Sequence, residues 1–590
     1  MAKPNRRNLK GTPHLSGLFQ ACQQDLEEFL TQRDRDHLSD AHNLLDCHSY
    51  ITAELEVDSA TSNYLRYCAL RQLDALFKKN VDLPGTSALA RKETAFGKFH
   101  ASEQKCKRTN KRLRFYQSHR SRIPNRVAEV LDLARNISEE IYGPLTRIAY
   151  HKICTQTGFG PGFNFGSSDQ EHRHLYYKVA GPHTSTEEAL PYFKVLLNHS
   201  EHWKQSLIDG GSTYSKVRGN RVTAVPKTAV TDRTIAIEPS VNVYLQKGVD
   251  SYLKGRLRRF GVHLTNQARN YPPARDGSQR PLHAATVDLS SASDNISTEI
   301  VKLLTPSLWY TLMDDLRSKE YTFDKGRSWQ KYEKFSSMGN AFTFPLETII
   351  FYSIAKACTI VSGGNLKVLR VYGDDIIIDP CAALLLYEVL YFAGFTPNEE
   401  KSFIFGNFRE TCGSDFLSGV DTRPVYVKRL PRNDVEVYNL FNRLLNNRVG
   451  FRLHNTCAFL YGCVRVPLIG PPDLPQGEKL AKWYAGKNVI YDHYFHAPSD
   501  SGLRFLRFDK DLQRHVWRIR ITRFKPMHLD TSSWSLQMWY LVFLLGLQGN
   551  SHVDSVSRFK KINPTVDFYR WEDPPWRPWL FDYLEVQAEL

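Results

Sequence analysis

The chain has 590 residues, enough at about 150 per domain for roughly four domain-sized units or one large multi-lobed enzyme. Apolar residues make up 42% of it, which excludes global disorder and a small peptide-like scaffold and leaves no need for a disulfide or metal staple. Lys and Arg number 78 against 62 Asp and Glu, and the resulting +16 attracts polyanions, chiefly nucleic acid or an anionic membrane; a basic protein with no such partner is the bland alternative.

The first residues, Met1 to Arg7, are basic but lead into no apolar signal core. Residues 14–90 read mostly as helices with short polar breaks. Ten cysteines are scattered without a CxxC pair, which fits reduced thiols in a cytosol and argues against a zinc ribbon or a secreted disulfide framework. Residues 98–126 then hold ten Lys/Arg against one acid, Glu103, with Phe99, Phe115 and Tyr116 interleaved. Such a stripe suits a nucleic-acid backbone track, with Lys107, Arg108, Lys111 and Arg112 as candidate RNA contacts. A solvated helix face is the alternative.

Residues 157–168 (TGFGPGFNFGSS) form a Gly/aromatic loop that is neither a Walker A loop nor a good dinucleotide fingerprint. It reads as a mobile loop able to approach a ligand closely. Residues 216–259 carry ten basic residues against three acids and read as alternating and β-rich. Further on, Thr286-Val287-Asp288 is an apolar strand ending in a carboxylate, and Asp294 follows six residues later. Leu308–Leu316 reads as an amphipathic helix, so its paired acids Asp314 and Asp315 are assigned to solvent and given no chemistry.

Ser336-Ser337-Met338-Gly339-Asn340 opens an apolar helix running through Phe351, and such a loop can place hydroxyls and an amide near a sugar. Lys367–Asp379 then reads as two apolar strands joined through Tyr372-Gly373-Asp374-Asp375. Two anions side by side at a hairpin tip repel each other, and a bound divalent cation explains them best; a water-exposed Gly-Asp turn is the plain alternative. Asp288 at the end of a second strand could face that tip. Two carboxylate strands plus the Ser/Gly/Asn loop match two-metal phosphoryl transfer, in which Mg2+ ions about 3.5–4 Å apart clamp the attacking and leaving oxygens. Toward the C-terminus, Val516–Ile521 alternates as a strand, Met538–Leu547 reads as a buried helix too short to span a membrane, and 573–579 reads as turn and extended chain.

At these residues the chain resembles an RNA-directed RNA polymerase, and more narrowly the replicase subunit of single-stranded RNA bacteriophages. TAVPKTAVTDRTIAIEP, TVDLSSASDNIS, SSMGNAFTFPLE, VYGDD, TPNEEKSF and FRETCGSDFLSGVD occur in the family's order, within about residues 220–430. The resemblance implies an α/β, right-hand polymerase: an α+β palm with helix-rich fingers and thumb. The expected divisions are an N-terminal region and fingers over 1–285, a palm over 286–420, and a thumb and C-terminal region over 421–590.

By the same resemblance Asp288, Asp374 and Asp375 are catalytic metal ligands for two Mg2+ ions, with Mn2+ a possible substitute. Lys227 and Arg233 hold the incoming triphosphate, while Asp294, Ser337, Gly339 and Asn340 form the ribose-sensing loop. Lys401 is a candidate proton donor to pyrophosphate, a role that needs its pKa shifted toward neutrality; a solvated surface lysine is the alternative. Many polymerases of the wider class carry an Asn in the helix after that loop, where this chain has Thr343-Phe344-Pro345-Leu346-Glu347, an acidic variant shared by the phage replicases. Which residue reads the ribose 2′-hydroxyl therefore stays open.

The implied partners are RNA template and product, rNTPs and the host elongation factors Tu and Ts, in the cytoplasm of the bacterial host and with no membrane; phage replicases also act with a small-subunit ribosomal protein, which the resemblance leaves open for this chain. One rival is a reverse transcriptase, which also uses a Tyr-x-Asp-Asp hairpin but needs a bulky steric gate where Asp294 stands. Another is a non-enzymatic RNA-binding virion protein, which would have no need of the carboxylate strands because acids repel RNA.

Overall fold

The structure, a computed structural model, describes residues 13–57, 63–122, 124–160, 162–166, 178–179, 182–209, 214–464, 467 and 495–496, and the backbone of 469–470, 506–509, 514–526 and 559–570. The described residues fall into two compact units. One joins the residues up to Gly85 with those from Pro424 on; the other is Thr86–Arg423. The expected N-terminal division 1–285 is therefore cut at Gly85, and the expected boundary at 285/286 runs through the middle of a single core.

In the first unit the chain is helical over Leu15–Leu26, Gln32–Asp40, Leu44–Val57 and Tyr64–Phe77, as the sequence pattern implies. Thr31 and Asp34 close a capping box at the start of the second of these helices. Asp34 is fully buried, and its charge is compensated by Arg66 at 2.6 Å. Asp25 accepts the backbone N–H groups of Asn455 and Thr456, each at 2.8 Å, and so caps the distant helix His454–Gly462. Three antiparallel strands, Leu506–Asp509, Arg514–Pro526 and Phe559–Arg570, also belong to this unit and contain the expected strand 516–521. The helix expected over Met538–Leu547 and the turn region 573–579 lie outside the described residues.

The second unit opens with helix α1 (Ala88–Ser118), followed by α2 (Asn125–Tyr142). Strands β1 (Asn220–Pro226) and β2 (Asp232–Ile237) form an antiparallel hairpin, and α3 (Ser240–Arg259) follows directly. The β-rich reading of 216–259 is thus correct only for its first half. Val241, Tyr244, Leu245, Val249, Leu253 and Leu257 recur at helical spacing, and all are buried. That stripe outweighs the local preference of the β-branched residues.

Strand β3 (Ala285–Val287) precedes two short strands, β4 (Glu320–Thr322) and β5 (Gln330–Lys331), which extend the β1–β2 sheet. Helix α4 (Thr343–Val361) leads to β6 (Arg370–Tyr372), β7 (Asp375–Ile378) and helix α5 (Pro380–Ala393). A last meander starts with β8 (Phe408–Thr411) and β9 (Ser414–Leu417). Strand β7 lies between β3 and β6 in an antiparallel sheet, and Ile376, Ile377 and Ile378 are at most 1% exposed, as the middle strand of a covered sheet requires. Helix α4 is long and apolar enough to cross a membrane, but 78% of its apolar window is buried in this core. The unit is α+β, in keeping with the expected palm class.

Candidate active site

The three aspartates meet because of strand register. Val287 pairs with Ile376, and Tyr372 with Asp375. One step beyond Val287, the same antiparallel register sets Asp288 opposite Asp375, with Asp374 next to it in the two-residue turn. Gly373 makes that turn possible. Its φ is +62°, and a Cβ there would lie 2.5 Å from Phe344 Cε2 on α4. Its N–H donates to Thr348 Oγ1 at 3.1 Å, which ties the tip to α4. Asp288 is anchored by its backbone: its N–H donates to Ser402 Oγ at 3.1 Å, and its carbonyl accepts from Asn398 N–H at 2.8 Å.

Burial and mutual repulsion dominate the electrostatics. Burial raises Asp288 to about 6, Lys401 opposes that shift, and Asp374 and Glu410 add to it. Burial, then Asp374 and Asp288, push Asp375 up to about 7. Asp374 is raised too, chiefly by burial, against the attraction of Arg233, Lys227 and Lys401. A cluster of acids that resist ionisation is one that a cation would relieve. Burial lowers Lys227, and its neighbour Arg233 lowers it further, as expected for cations crowded together to face an anion.

The ribose loop rests on the strand that carries Arg233. The N–H of Ala236 donates to Met338 O at 2.7 Å. Gly339 has φ +120°, and a Cβ there would sit 2.0 Å from Ala236 O. Asn340 N–H donates to Ser337 O at 3.0 Å, and Asn340 Oδ1 accepts from Phe342 N–H at 3.0 Å. Asn340 is 5% exposed, yet its Nδ2 has no partner among the described residues. An orphaned buried donor of this kind costs stability unless a ligand meets it.

Known proteins provide the comparison. Residues 35–449, well over half of the chain, match the family described as RNA replicase, beta-chain. The chain belongs to that family. It is 38% identical over 335 residues to the RNA-directed RNA polymerase subunit beta of Enterobacteria phage SP, covering 57% of this chain and 56% of that protein. It is 31% identical over 451 residues to the RNA-directed RNA polymerase beta chain of Enterobacteria phage GA, covering 76% and 80%. The match thus spans little more than half the length of the phage SP relative. A solved structure titled RdRp complex gives a TM-score of 0.37 at 10% identity, covering 61% of this chain and 34% of that one.

In this replicase-family chain, then, Asp288, Asp374 and Asp375 converge, and Lys227, Arg233 and Lys401 act on Asp374. Lys401 is ion-paired at the site. Its Nζ lies 3.2 Å from Glu410 and 3.5 Å from Asp288. Burial disfavours its charge, but those two carboxylates outweigh burial and hold its pKa above the ordinary lysine range. Arg112 has a different partner from the expected RNA: it donates to Phe392 O at 2.9 Å and Tyr391 O at 3.2 Å, the open end of α5. Lys107, Arg108 and Lys111 are exposed along α1, whereas Phe99 and Tyr116 are core residues rather than stacking platforms.

Asp294 does not cap a helix; it lies in a short 3-10 turn, and the next helix starts after Ser297. The paired acids Asp314 and Asp315, expected to face solvent, are half-buried and engaged: Asp314 with Arg317 at 2.7 Å, and Asp315 with the Tyr192 hydroxyl at 2.8 Å. The Gly/aromatic loop is anchored, with Lys178 Nζ donating to Gly162 O at 2.7 Å and Phe165 N–H to Glu238 O at 2.8 Å.

Sequence reasoning missed two neighbours of the site. Glu347 is fully enclosed and accepts from Ser293 Oγ at 2.6 Å; burial and then Asp374 raise its pKa. Cys412, with φ +42°, presents its backbone N–H to Asp375. The acidic variant in the α4 segment was the signal for Glu347; a lone Cys in a turn gave none.

Proposed function

We propose that this chain is the catalytic subunit of an RNA-directed RNA polymerase that replicates a viral single-stranded RNA genome. The reaction is attack of the 3′-hydroxyl of the growing strand on the α-phosphate of an rNTP, with release of pyrophosphate. The observation that carries this reading is the register: three carboxylates converge at one end of the sheet, with Lys227 and Arg233 close enough to act on Asp374. Lys227 and Arg233 would bind the triphosphate and orient its α-phosphate. Asp294 and Asn340 would read the ribose, and the unpartnered Nδ2 of Asn340 supports this.

The donor set fits a hard divalent cation, because it is all oxygen and mutually repelling. Among the described residues no three His, Cys, Asp or Glu side chains form a ready-made metal-binding group. Asp288, Asp374 and Asp375 would hold two Mg2+ ions, with Mn2+ as substitute, and bound there the ions supply charge stabilisation at the attacking and leaving oxygens. Lys401, held protonated between Asp288 and Glu410, serves as a counter-charge that keeps Asp288 oriented.

Within the same reading the enzyme works in the cytoplasm of a bacterial host, with elongation factors Tu and Ts as partners. The test is template-dependent RNA synthesis by the purified chain, with and without Tu and Ts, offering rNTPs or dNTPs with Mg2+. Incorporation of rNTPs is expected. Incorporation of dNTPs alone would favour a reverse transcriptase, and none of either, with the factors present, would remove the assignment.

A further inference from the structure

Lys334 stands just ahead of the Ser336–Asn340 loop, and its side chain is wholly buried. Its Nζ donates to Asp294 Oδ1 at 2.8 Å. The same Nζ lies 3.5 Å from Glu103 Oε1 and 3.7 Å from the centre of the Phe99 ring. A buried ammonium persists only where anions or an aromatic face replace its water, and here it has both.

Glu103 is the single acid in the basic stretch 98–126, and it points inward, at 6% exposure, rather than toward RNA. Its Oε2 accepts from Glu333 N–H at 2.7 Å, so the acid is held in place as well. Asp294, by contrast, is anchored on one side only. Its Oδ1 is taken by Lys334, its Oδ2 accepts no hydrogen bond among the described residues, and its side chain is 19% exposed. The backbone beneath it is steadied by its own N–H to Ser291 O at 3.1 Å and by Cys106 Sγ on its carbonyl at 3.5 Å.

We propose that Lys334 is a positioning residue for sugar selection: it holds one carboxylate oxygen of Asp294 so that the other is presented to the ribose 2′-hydroxyl of the incoming nucleotide. This rests on the reading above that Asp294 senses the ribose. A carboxylate free to rotate about its last bond would meet a hydroxyl donor in only some of its orientations. One fixed by a 2.8 Å charge-assisted bond is already set, and discrimination against a sugar lacking that hydroxyl rises accordingly. Because Lys334 lies two residues before Ser336, the same residue ties the Asp294 turn to the loop that bears Asn340.

The experiment compares kcat/KM for an rNTP and its matching dNTP on one RNA template, together with the melting temperature, for wild type, Lys334→Met, Asp294→Ala and the pair combined. Lys334→Met is expected to lower the rNTP/dNTP ratio by about ten- to a hundredfold, through a higher KM for the rNTP. In the Asp294→Ala background it should change the ratio no further. A purely structural lysine would lower the melting temperature and slow both nucleotides alike. Should Lys334→Met fail to fold, Glu103→Gln with Lys334→Met removes the opposing charge as well and carries the same expectation. An unchanged ratio in either folded variant, while Asp294→Ala lowers it, would overturn the proposal and leave the ribose reading standing. An unchanged ratio in Asp294→Ala would sink the ribose reading itself.

Discussion

Gly339→Ala tests whether the ribose loop and the strand carrying Arg233 are one mechanical unit. A Cβ at Gly339 would sit 2.0 Å from Ala236 O, and real Cβ contacts essentially never fall under 3.0 Å. The obstacle is hydrogen-bonded backbone of β2, so it is the loop that must retreat, by about 1 Å. Left-handed backbone costs an Ala about 1–2 kcal/mol, and loosening the Ala236–Met338 bond adds about 1 kcal/mol. A loss of about 2–3 kcal/mol of unfolding free energy is expected. A 1 Å misplacement of substrate-positioning groups costs about a hundredfold in rate. The control is Gly363→Ala, where φ is +67° but a Cβ meets nothing within 4 Å. It isolates the backbone penalty and should lose about 1–2 kcal/mol with near-normal synthesis. Denaturant unfolding and single-nucleotide incorporation measure the two effects. If Gly339→Ala and Gly363→Ala behave alike in both assays, the close approach of loop and strand has no part in positioning the site.

Three further outcomes follow from the same geometry. Asp374→Asn should slow incorporation by roughly a thousandfold, about 4 kcal/mol of transition-state stabilisation, while the fold survives; near-normal elongation by the folded variant would remove Asp374 from the chemistry. In the metal-free protein, Asp288 at about 6 and Asp375 at about 7 lie above their ordinary value of 3.8, so the folded state holds these protons more tightly than the unfolded chain. The stability they contribute is present below about pH 4 and is lost as pH rises through 6 to 7; melting temperatures in a chelator should therefore fall across that window, less so in Asp375→Asn, and a flat profile would contradict the shifts. Neutralising Lys107, Arg108 and Lys111 together should flatten the log–log salt dependence of RNA binding by about 2 with little effect on stability, whereas Arg112→Ala should destabilise the protein and leave that slope alone.

How much of the site was legible depended on how far apart its parts lie in the chain. The Asp374–Asp375 hairpin was readable because both strands and the turn lie within thirteen residues, Lys367 to Asp379, and Gly at position 373 is the residue such a turn demands. The helix after the Ser/Gly/Asn loop was readable for the same reason. The role of Arg112 was not: its charge fits a track along RNA, and only the arrival of the α5 terminus, about 280 residues later, turns it into a carbonyl donor. Residues 240–259 misled because Val241, Val243 and Val249 favour strands locally, and the core on one face of α3 decides otherwise.

By itself, then, the sequence determined the chemistry-bearing residues and their order, because turn geometry, apolar periodicity and charge are properties of neighbouring residues. The tertiary structure alone decided which charges face one another. It paired Lys334 with Asp294 and Glu103, set Lys401 between Asp288 and Glu410, and placed Glu347 under the hairpin tip. Burial and charge act through space rather than along the chain, so the pKa shifts and fixed carboxylates of this site exist only once distant segments have packed.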